Sequence, residues 1–381
     1  MGPAGELVAE GASQAIEITG DSNGSSEQNP EDIWEAIAAA SVEVVSRLPD
    51  GAEVAAVCLA AQSGSVIGVD SSGHGSRSIT WMDTRSRNLV EAWDDERKAL
   101  IRARSGWSPA PGLGLPTIAW LNSEQLSATR WSSVDDYVMV RLCGQWLTNP
   151  SNAAGMQLMD VATLRWSYDL CGIAGVSAEQ LSTLLPSGEV VGSVQPGVAE
   201  VTGLRQSTRV VMGGHDQACA AFGLDITERG ETVLSLGTAW VLTIVVDEPV
   251  VDTLPDSVNL SPGVVADRWS ASRYLGGLGA EIARTTERFG PDAPESAAVM
   301  KACISVVREA LDLAAEAGLL ATSVVLVGGG TRIERLVEGL ADALDLDITV
   351  RADASWPALG AAKLAAHALG WQGGAMETSS I

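Results

Sequence analysis

Residues 211–223 read VMGGHDQACAAFG. An apolar run stops at Gly213 and Gly214, the polar triplet His215–Asp216–Gln217 follows, and small apolar residues resume. Two readings compete. Asp and Gly are ordinary turn residues that cost nothing in solvent, so the stretch reads as a turn. It also reads as a buried strand with a reactive carboxylate at its end, ahead of a helix, because a charge at the mouth of a buried segment is costly unless it is paired or used. The stretch alone leaves both open, and the segments around it decide.

Outward from this point, strands and helices alternate. EVAAVCLAA (53–61) and RVVMGG (209–214) read as buried strands, and SVIGVDSSGHGSRSITW (65–81) as a hairpin turning at Ser72–Gly73. NPEDIWEAIAAASVEVVSRL (29–48) is a well-signalled helix: Asn29 can cap it, Pro30 suits its first turn, Glu31 and Asp32 complement its dipole, and Ile33, Ile37, Ala40 and Val44 share a face. GELVAEGASQAIEI (5–18) reads as two short extended pieces, the region up to about residue 146 as mostly helical, and GEVVGSVQPGVAEVTGL (188–204) as a β-containing connection. After residue 223 the pattern restarts. ETVLSLGTAWVLTIVV (231–246) is a hairpin, SAAVMKACISVVREALDLAAEAG (296–318) a helix closed by Gly318, and SVVLVGGGTRIERLVEGLADAL (323–344) a strand, three glycines and a helix. DITVRA (347–352) is a last strand and PALGAAKLAAHAL (357–369) a last helix. The class is α/β, with domains at 1–223 and 224–371 and a flexible tail at 372–381.

Composition bounds the function. The 381 residues are too many for one core; 46% hydrophobic and 19% charged residues describe a globular chain. A net charge of −24 argues against nucleic acid and anionic membranes as partners. The five cysteines are scattered, which suits a reducing compartment and argues against a structural zinc site. Without a signal peptide or a membrane-length apolar run, a cytoplasmic location is expected.

Three further stretches offer chemistry. LSLGTAW (234–240) is a plain hairpin turn, or a site where Gly237 admits a phosphate to backbone N–H groups and Thr238 adds a hydroxyl. VVLVGGGTR (324–332) is a tight strand-to-helix turn, or bare backbone for a nucleotide. It is neither a dinucleotide fingerprint nor a Walker loop. WMDTRS (81–86) puts Trp81, Asp83 and Arg85 at alternate positions, on one face if the segment is extended. That is an exposed ion pair beside a packed indole, or a polyol clamp that Gln62 of AAQSG (60–64) joins.

Taken in order, AAQSG, WMDTRS, DDYVMVRLCGQWLTNPSNAAG, LLPSGEVVGSV, VMGGHDQACAAFG, LSLGTAW, LVGGGTRIERLVEGLADAL and ALGAAKLAAHALG resemble the FGGY family of carbohydrate kinases over nearly the whole chain. The resemblance implies two actin-like, RNase H-like domains flanking a central cleft, with a sugar or polyol and ATP with Mg2+ as ligands. It implies that Asp216 is the general base, that Gln62, Trp81, Asp83 and Gln217 contact the sugar, that Gly237 and Thr238 hold phosphate, and that Gly329 and Gly330 lie at the adenosine. No residue is assigned to the metal, and a homodimer is an expectation of the same kind.

Two departures stand out. The family opens with a strand and an Asp-x-Gly-Thr phosphate hairpin, and GPAGELVAE (2–10) looks like the turn and return strand of that hairpin without its first strand. Between GGLGAEIARTTERFG (276–290) and SAAVMKAC (296–303) the family's long loop-rich segment is almost missing. Two functions follow from different classes: an ATP-dependent kinase whose start lies upstream of Met1, or an inactive relative that binds sugar or nucleotide without transfer. The kinase is the favoured one. In-frame sequence upstream encoding the hairpin is expected, with the 381-residue chain itself poorly stable and inactive.

Overall fold

The computed structural model describes residues 1–351 and 354–371, so the expected tail at 372–381 and Ala352 lie outside the described residues. The chain forms two units, of which the first holds Met1–Gly223, Pro262–Ala266 and the chain from Trp356, and the second Leu224–Ser261 and Asp267–Ser355.

In the first unit, Ala56–Ala61 runs parallel to Arg209–His215, which pairs antiparallel with Val190–Ser193 on its other side. A second, antiparallel sheet is built around the hairpin Val66–Val69/Gly75–Ile79, whose turn is tied by Asp70 to the N–H groups of Ser72 and His74. The helix Pro30–Ser46 starts where the cap signals put it, with the Asn29 side chain accepting from the Glu31 N–H at 3.2 Å. Ile67, Tyr137, Val138, Leu142, Val210 and Met212 are buried in one of this unit's cores. Each such side chain contributes about 1.5–3 kcal/mol by leaving water.

Two sequence expectations change here. Pro3–Gly5 does turn, closed by the Gly5 N–H on the Gly2 carbonyl at 3.0 Å, but no strand forms over 5–18. Ala56–Ala61 is an edge strand, and Val8 and Ala9 line a groove of about 630 Å3 beside it without pairing to it. The connection 188–204 contains a helix, Pro196–Thr202, besides its strand. By its contacts the last helix, Trp356–Ala368, groups with the first unit, packed on Asp216–Gly223 and Ala56–Ala61. Its reason is close backbone contact. A Cβ on Gly360 would lie 1.8 Å from the Cys219 carbonyl oxygen, and one on Gly223 2.8 Å from that of Trp356.

The second unit is one six-stranded sheet with helices. Its order is Val258–Pro262, Trp269–Gly276, Trp240–Val246, Glu231–Leu236, Ser323–Val327, Asp347–Val350. The hairpin Glu231–Leu236/Trp240–Val246 has Leu236 opposite Trp240, and Glu231–Leu236 runs parallel to Ser323–Val327. Val307 of the helix Pro294–Glu316 and Leu336 and Leu340 of Glu334–Ala343 bury themselves with Leu234, Trp240, Val324 and Leu326. Gly318, at φ +83°, stops the long helix as its spacing predicted.

Candidate active site

The opening stretch forms both the strand and the helix that its second reading required. Arg209–His215 is the strand, and Asp216–Gly223 is a helix that begins at the carboxylate itself. The paired glycines have a steric cause. The register with Ala56–Ala61 shifts between Val211 and Gly214. At Gly213 a Cβ would lie 1.7 Å from the Leu59 carbonyl oxygen, and at Gly214 one would lie 2.3 Å from Val264 Cγ1. Only residues without side chains let the bulged strand come this close. After the bulge His215 pairs with Ala61, so Asp216 and Gln62 follow at neighbouring carboxyl ends of parallel strands. That is where α/β sheets take their ligands.

Asp216 is anchored through one oxygen. Its Oδ1 lies 3.0 Å from His215 Nε2 and accepts the Gln217 N–H at 2.6 Å, while Oδ2 has no protein partner among the described residues. Burial alone would raise its pKa. The His215 hydrogen bond and charge and the Gln217 N–H outweigh burial and hold it below the usual carboxylate value. The helix N-terminus favours the same charge. Behind this pair the His215 N–H donates to Ser151 Oγ at 2.9 Å, and that hydroxyl donates to Asn149 Oδ1 at 2.6 Å. Asn149 leads to a buried pair, Asp135 and Asp136, that sequence reasoning passed over. Thr148 donates to Asp135 Oδ2 at 2.7 Å and Ser182 to Asp136 Oδ2 at 2.5 Å. Burial, with the charge of Asp135, pushes Asp136 well above the carboxylate range.

The other sugar-side candidates divide. Gln62 is half-buried, 3.4 Å from Gln28 Oε1, at a cavity of about 310 Å3 that Ile33 and Asp135 also line. The turn after it is held to the helix Pro150–Met156: Ser63 Oγ donates to the Asn152 carbonyl at 2.7 Å and accepts the Gly155 N–H at 3.2 Å. Trp81, 53% exposed, stands beside this turn, where a Cβ on Gly64 would lie 3.5 Å from its own Cβ. Asp83 does not share a face with it. Residues 81–82 form a turn, not an extended segment, and Asp83 is 2% exposed. Its Oδ2 takes the Ser26 N–H at 2.9 Å, its Oδ1 the Arg85 N–H at 2.9 Å, and Arg85 Nε reaches both oxygens. With no lone pair turned outward, Asp83 holds Arg85 and the Ser26 backbone, and the polyol-clamp expectation is not met for this residue. Gln217 is exposed at the second position of its helix.

On the second unit Gly237, Thr238 and Ala239 form the turn of the hairpin, with Thr238 exposed. Nothing lies within 4 Å of a Cβ on Gly276, Gly277 or Gly329, whereas one on Gly279 would lie 1.9 Å from the Gly237 carbonyl oxygen, and one on Gly330 2.8 Å from Leu236 Cβ. Gly279 and Gly330 let backbones pack, and Gly276, Gly277 and Gly329 leave bare backbone facing open space. The Ala280 N–H, at the start of Leu278–Phe289, donates to the Thr238 carbonyl at 3.1 Å, tying that helix to the turn. Gly276 and Gly277 were missed; the signal was a second glycine-rich strand-to-helix turn in YLGGLGAEI.

The N-terminal domain of the FGGY family of carbohydrate kinases matches residues 3–223, and its C-terminal domain matches residues 256–369. The chain belongs to this family. It is 27% identical to a xylulose kinase of Bacillus subtilis (strain 168), over 96% of this chain and 85% of that protein. It is 26% identical to a gluconokinase of Bacillus licheniformis, over 59% of this chain and 45% of that protein. A solved xylulose kinase from Rhodospirillum rubrum shares the fold with a TM-score of 0.84 at 18% identity, over 92% of this chain and 83% of that one. The α/β class with two actin-like units is therefore the family's own.

As an FGGY kinase the protein is an enzyme that transfers a phosphoryl group from ATP to a sugar. No helix among the described residues is long and apolar enough to cross a membrane. Nor do three His, Cys, Asp or Glu side chains converge there on a metal position. Mg2+ in kinases is held by substrate phosphates with one or two carboxylates, without an all-protein cage. Among the described residues the side chains of this FGGY kinase build no metal centre of their own.

Proposed function

We propose that this kinase phosphorylates a small polyhydroxylated substrate with Asp216 as its general base. The carrying observation is the carboxylate itself, at the carboxyl end of a strand and the start of a helix, one oxygen anchored by two donors and the other open. Oδ2 takes the proton of the reacting hydroxyl as that oxygen forms its bond to the γ-phosphorus. The bond from the γ-phosphorus to the β,γ-bridging oxygen breaks, and ADP leaves with the electron pair. Proton acceptance by a positioned carboxylate and alignment of the nucleophile are what a protein contributes to a loose phosphoryl transition state.

Gln62 follows the strand next to the one that ends at the base, Gln217 follows the base on its helix, and Trp81 offers an exposed indole beside the Gln62 turn; these three are the proposed sugar contacts. Gly237 and Thr238 would hold phosphate oxygens through backbone N–H groups and a hydroxyl, and Gly329, with Gly276 and Gly277, would leave room for the adenosine, while Gly330 beside them packs against Leu236. ATP would enter as its Mg2+ complex. The net charge of −24 and the free cysteines favour a cytoplasmic enzyme without nucleic-acid or membrane partners.

Transfer of label from [γ-32P]ATP to xylulose, gluconate and glycerol, each followed by chromatography of the sugar phosphate, tests the reading. Label on at least one polyol, with ADP released in equal amount, is expected, in place of the inactivity expected of the 381-residue chain from its sequence. ATP hydrolysis that no polyol in the panel alters, and no labelled product, would contradict it.

A further inference from the structure

We propose that His215 is a positioning residue for this reaction: its ring fixes Oδ1 of Asp216, so that Oδ2 is the oxygen presented to the sugar hydroxyl. The proposal rests on Asp216 being the base. A carboxylate rotates over a broad range about its last side-chain bond. Here two donors meet on one oxygen, His215 Nε2 at 3.0 Å and the Gln217 N–H at 2.6 Å, and they leave the other oxygen bare. The ring N–H that faces the carboxylate is a donor, so Nε2 carries the proton.

His215 is itself held from a neighbouring element. Its N–H donates to Ser151 Oγ at 2.9 Å, and the Ser151 hydroxyl donates to Asn149 Oδ1 at 2.6 Å. That same Asn149 oxygen accepts the Asn152 N–H at 3.0 Å, which caps Pro150–Met156. A chain of hydrogen bonds therefore runs from the end of a buried helix to the base. The His215 side chain is only 18% exposed, so the ring has little room to swing away.

Few ionisable groups face this carboxylate. On its own helix Cys219 is pushed up to about 12 by burial and by Asp216, so the thiol is neutral. The helix Pro150–Met156 contributes the Ser151 hydroxyl, the strand Ala56–Ala61 presents alanines at 60 and 61, and Pro262–Ala266 contributes Val264. Cys58, also on that strand, is raised by burial and stays a thiol. Lys363 and His367 of Trp356–Ala368 sit on Phe222, at the far end of the Asp216 helix. His215 is thus the ionisable side chain in direct contact with the base, and its hydrogen bond lowers the pKa of Asp216 against the effect of burial.

The test uses the full chain with a polyol that it phosphorylates, and four variants: His215→Phe, His215→Gln, His215→Asn and Asp216→Asn. His215→Phe should lower kcat by about 10- to 100-fold, the range that loss of reactant alignment produces. KM for the polyol should stay within about twofold, and the acid limb of the kcat profile should move to higher pH as the carboxylate loses its donor. His215→Gln, whose amide can still donate, should restore most of kcat. In parallel, the 13C resonance of the Asp216 carboxyl should titrate at higher pH in His215→Phe than in the parent, a shift that a merely structural role would not produce. Unchanged kcat and an unmoved acid limb in folded His215→Phe, with Asp216→Asn inactive, would remove His215 and leave the base standing. Asp216→Asn at near-parent turnover would instead remove the base reading. Should His215→Phe fail to fold, His215→Gln and His215→Asn carry the test. The shorter Asn side chain cannot span to the carboxylate, so equal kcat for those two would overturn the proposal.

Discussion

Gly213→Ala tests the mechanical link between the bulge and the base. The new Cβ would start 1.7 Å from the Leu59 carbonyl oxygen, with the Leu59 carbonyl carbon 2.7 Å away. Carbon and oxygen need about 3.3 Å even in a close C–H···O contact, so the strands must part by about 1.5 Å. All the close atoms are backbone, and no side chain can rotate to absorb the change. Overpacking of this kind costs about 1–3 kcal/mol. Loss of the pairings Gly214↔Ala60 and His215↔Ala61 adds about 1 kcal/mol for each hydrogen bond broken. The sum is about 3–5 kcal/mol, or a fall in Tm of roughly 6–20 °C for a unit of this size. Asp216 moves with the strand, and a displacement near 1 Å at reacting groups costs on the order of 10²-fold in rate. Differential scanning fluorimetry and a coupled ADP assay read the two effects. Gly172→Ala is the control: it lies in Tyr168–Ala174 with nothing within 4 Å of its Cβ, and should be neutral or stabilising by up to about 1 kcal/mol. A Gly213→Ala protein that melts and turns over like the parent would refute the bulge as the device that places Asp216.

Further outcomes follow from other parts of the molecule. Asp83→Ala leaves the Ser26 N–H without its acceptor and the Arg85 guanidinium with Glu27 alone, and should cost about 1–3 kcal/mol in chemical denaturation; a loss below about 0.5 kcal/mol would return Asp83 to the candidates for sugar contact. Thr238→Val should raise KM for ATP about tenfold, as loss of a hydrogen bond to a charged group does, and leave KM for the polyol unchanged; steady-state kinetics with each substrate varied distinguishes the two. Asp136 is raised in the folded state, so its contribution to stability is whole below the ordinary carboxylate pKa and is lost as pH rises through its folded value. Asp136→Asn removes that titration. The variant should gain on the parent in urea melts as pH goes from about 4 to 8, and parallel pH dependences would contradict the buried pair.

Local signals carried much of this fold. Asn29–Pro30 started a helix, Gly318 ended one, and Gly237–Thr238 turned a hairpin, because capping, φ and pattern are properties of a few neighbouring residues. The same kind of signal was present and passed over at Pro196 and Gly203, which bracket the helix in the connection. Other features depend on partners far along the chain. Gly360 fits against Cys219, and that contact, invisible in either sequence stretch, sends the last helix to the first unit. The alternation Trp81–Asp83–Arg85 suggested one face, and the turn at 81–82 broke it because Ser26 and Arg85 capture the carboxylate. Asp216 was legible as a charge out of place. What sequence could not supply was the hold on it by His215 and Ser151, since Ser151 lies 64 residues before the N–H it accepts.

Asp216→Asn is the most direct test of the central claim. Asn is isosteric, and its carbonyl oxygen can keep both anchors from His215 and Gln217. It changes the capacity to accept a proton and little else. Measured under saturating ATP and polyol, kcat should fall by about 10²–10⁴-fold, the usual worth of a positioned base, while polyol affinity by titration calorimetry stays within about threefold. Turnover within tenfold of the parent, at unchanged polyol affinity, would contradict the account.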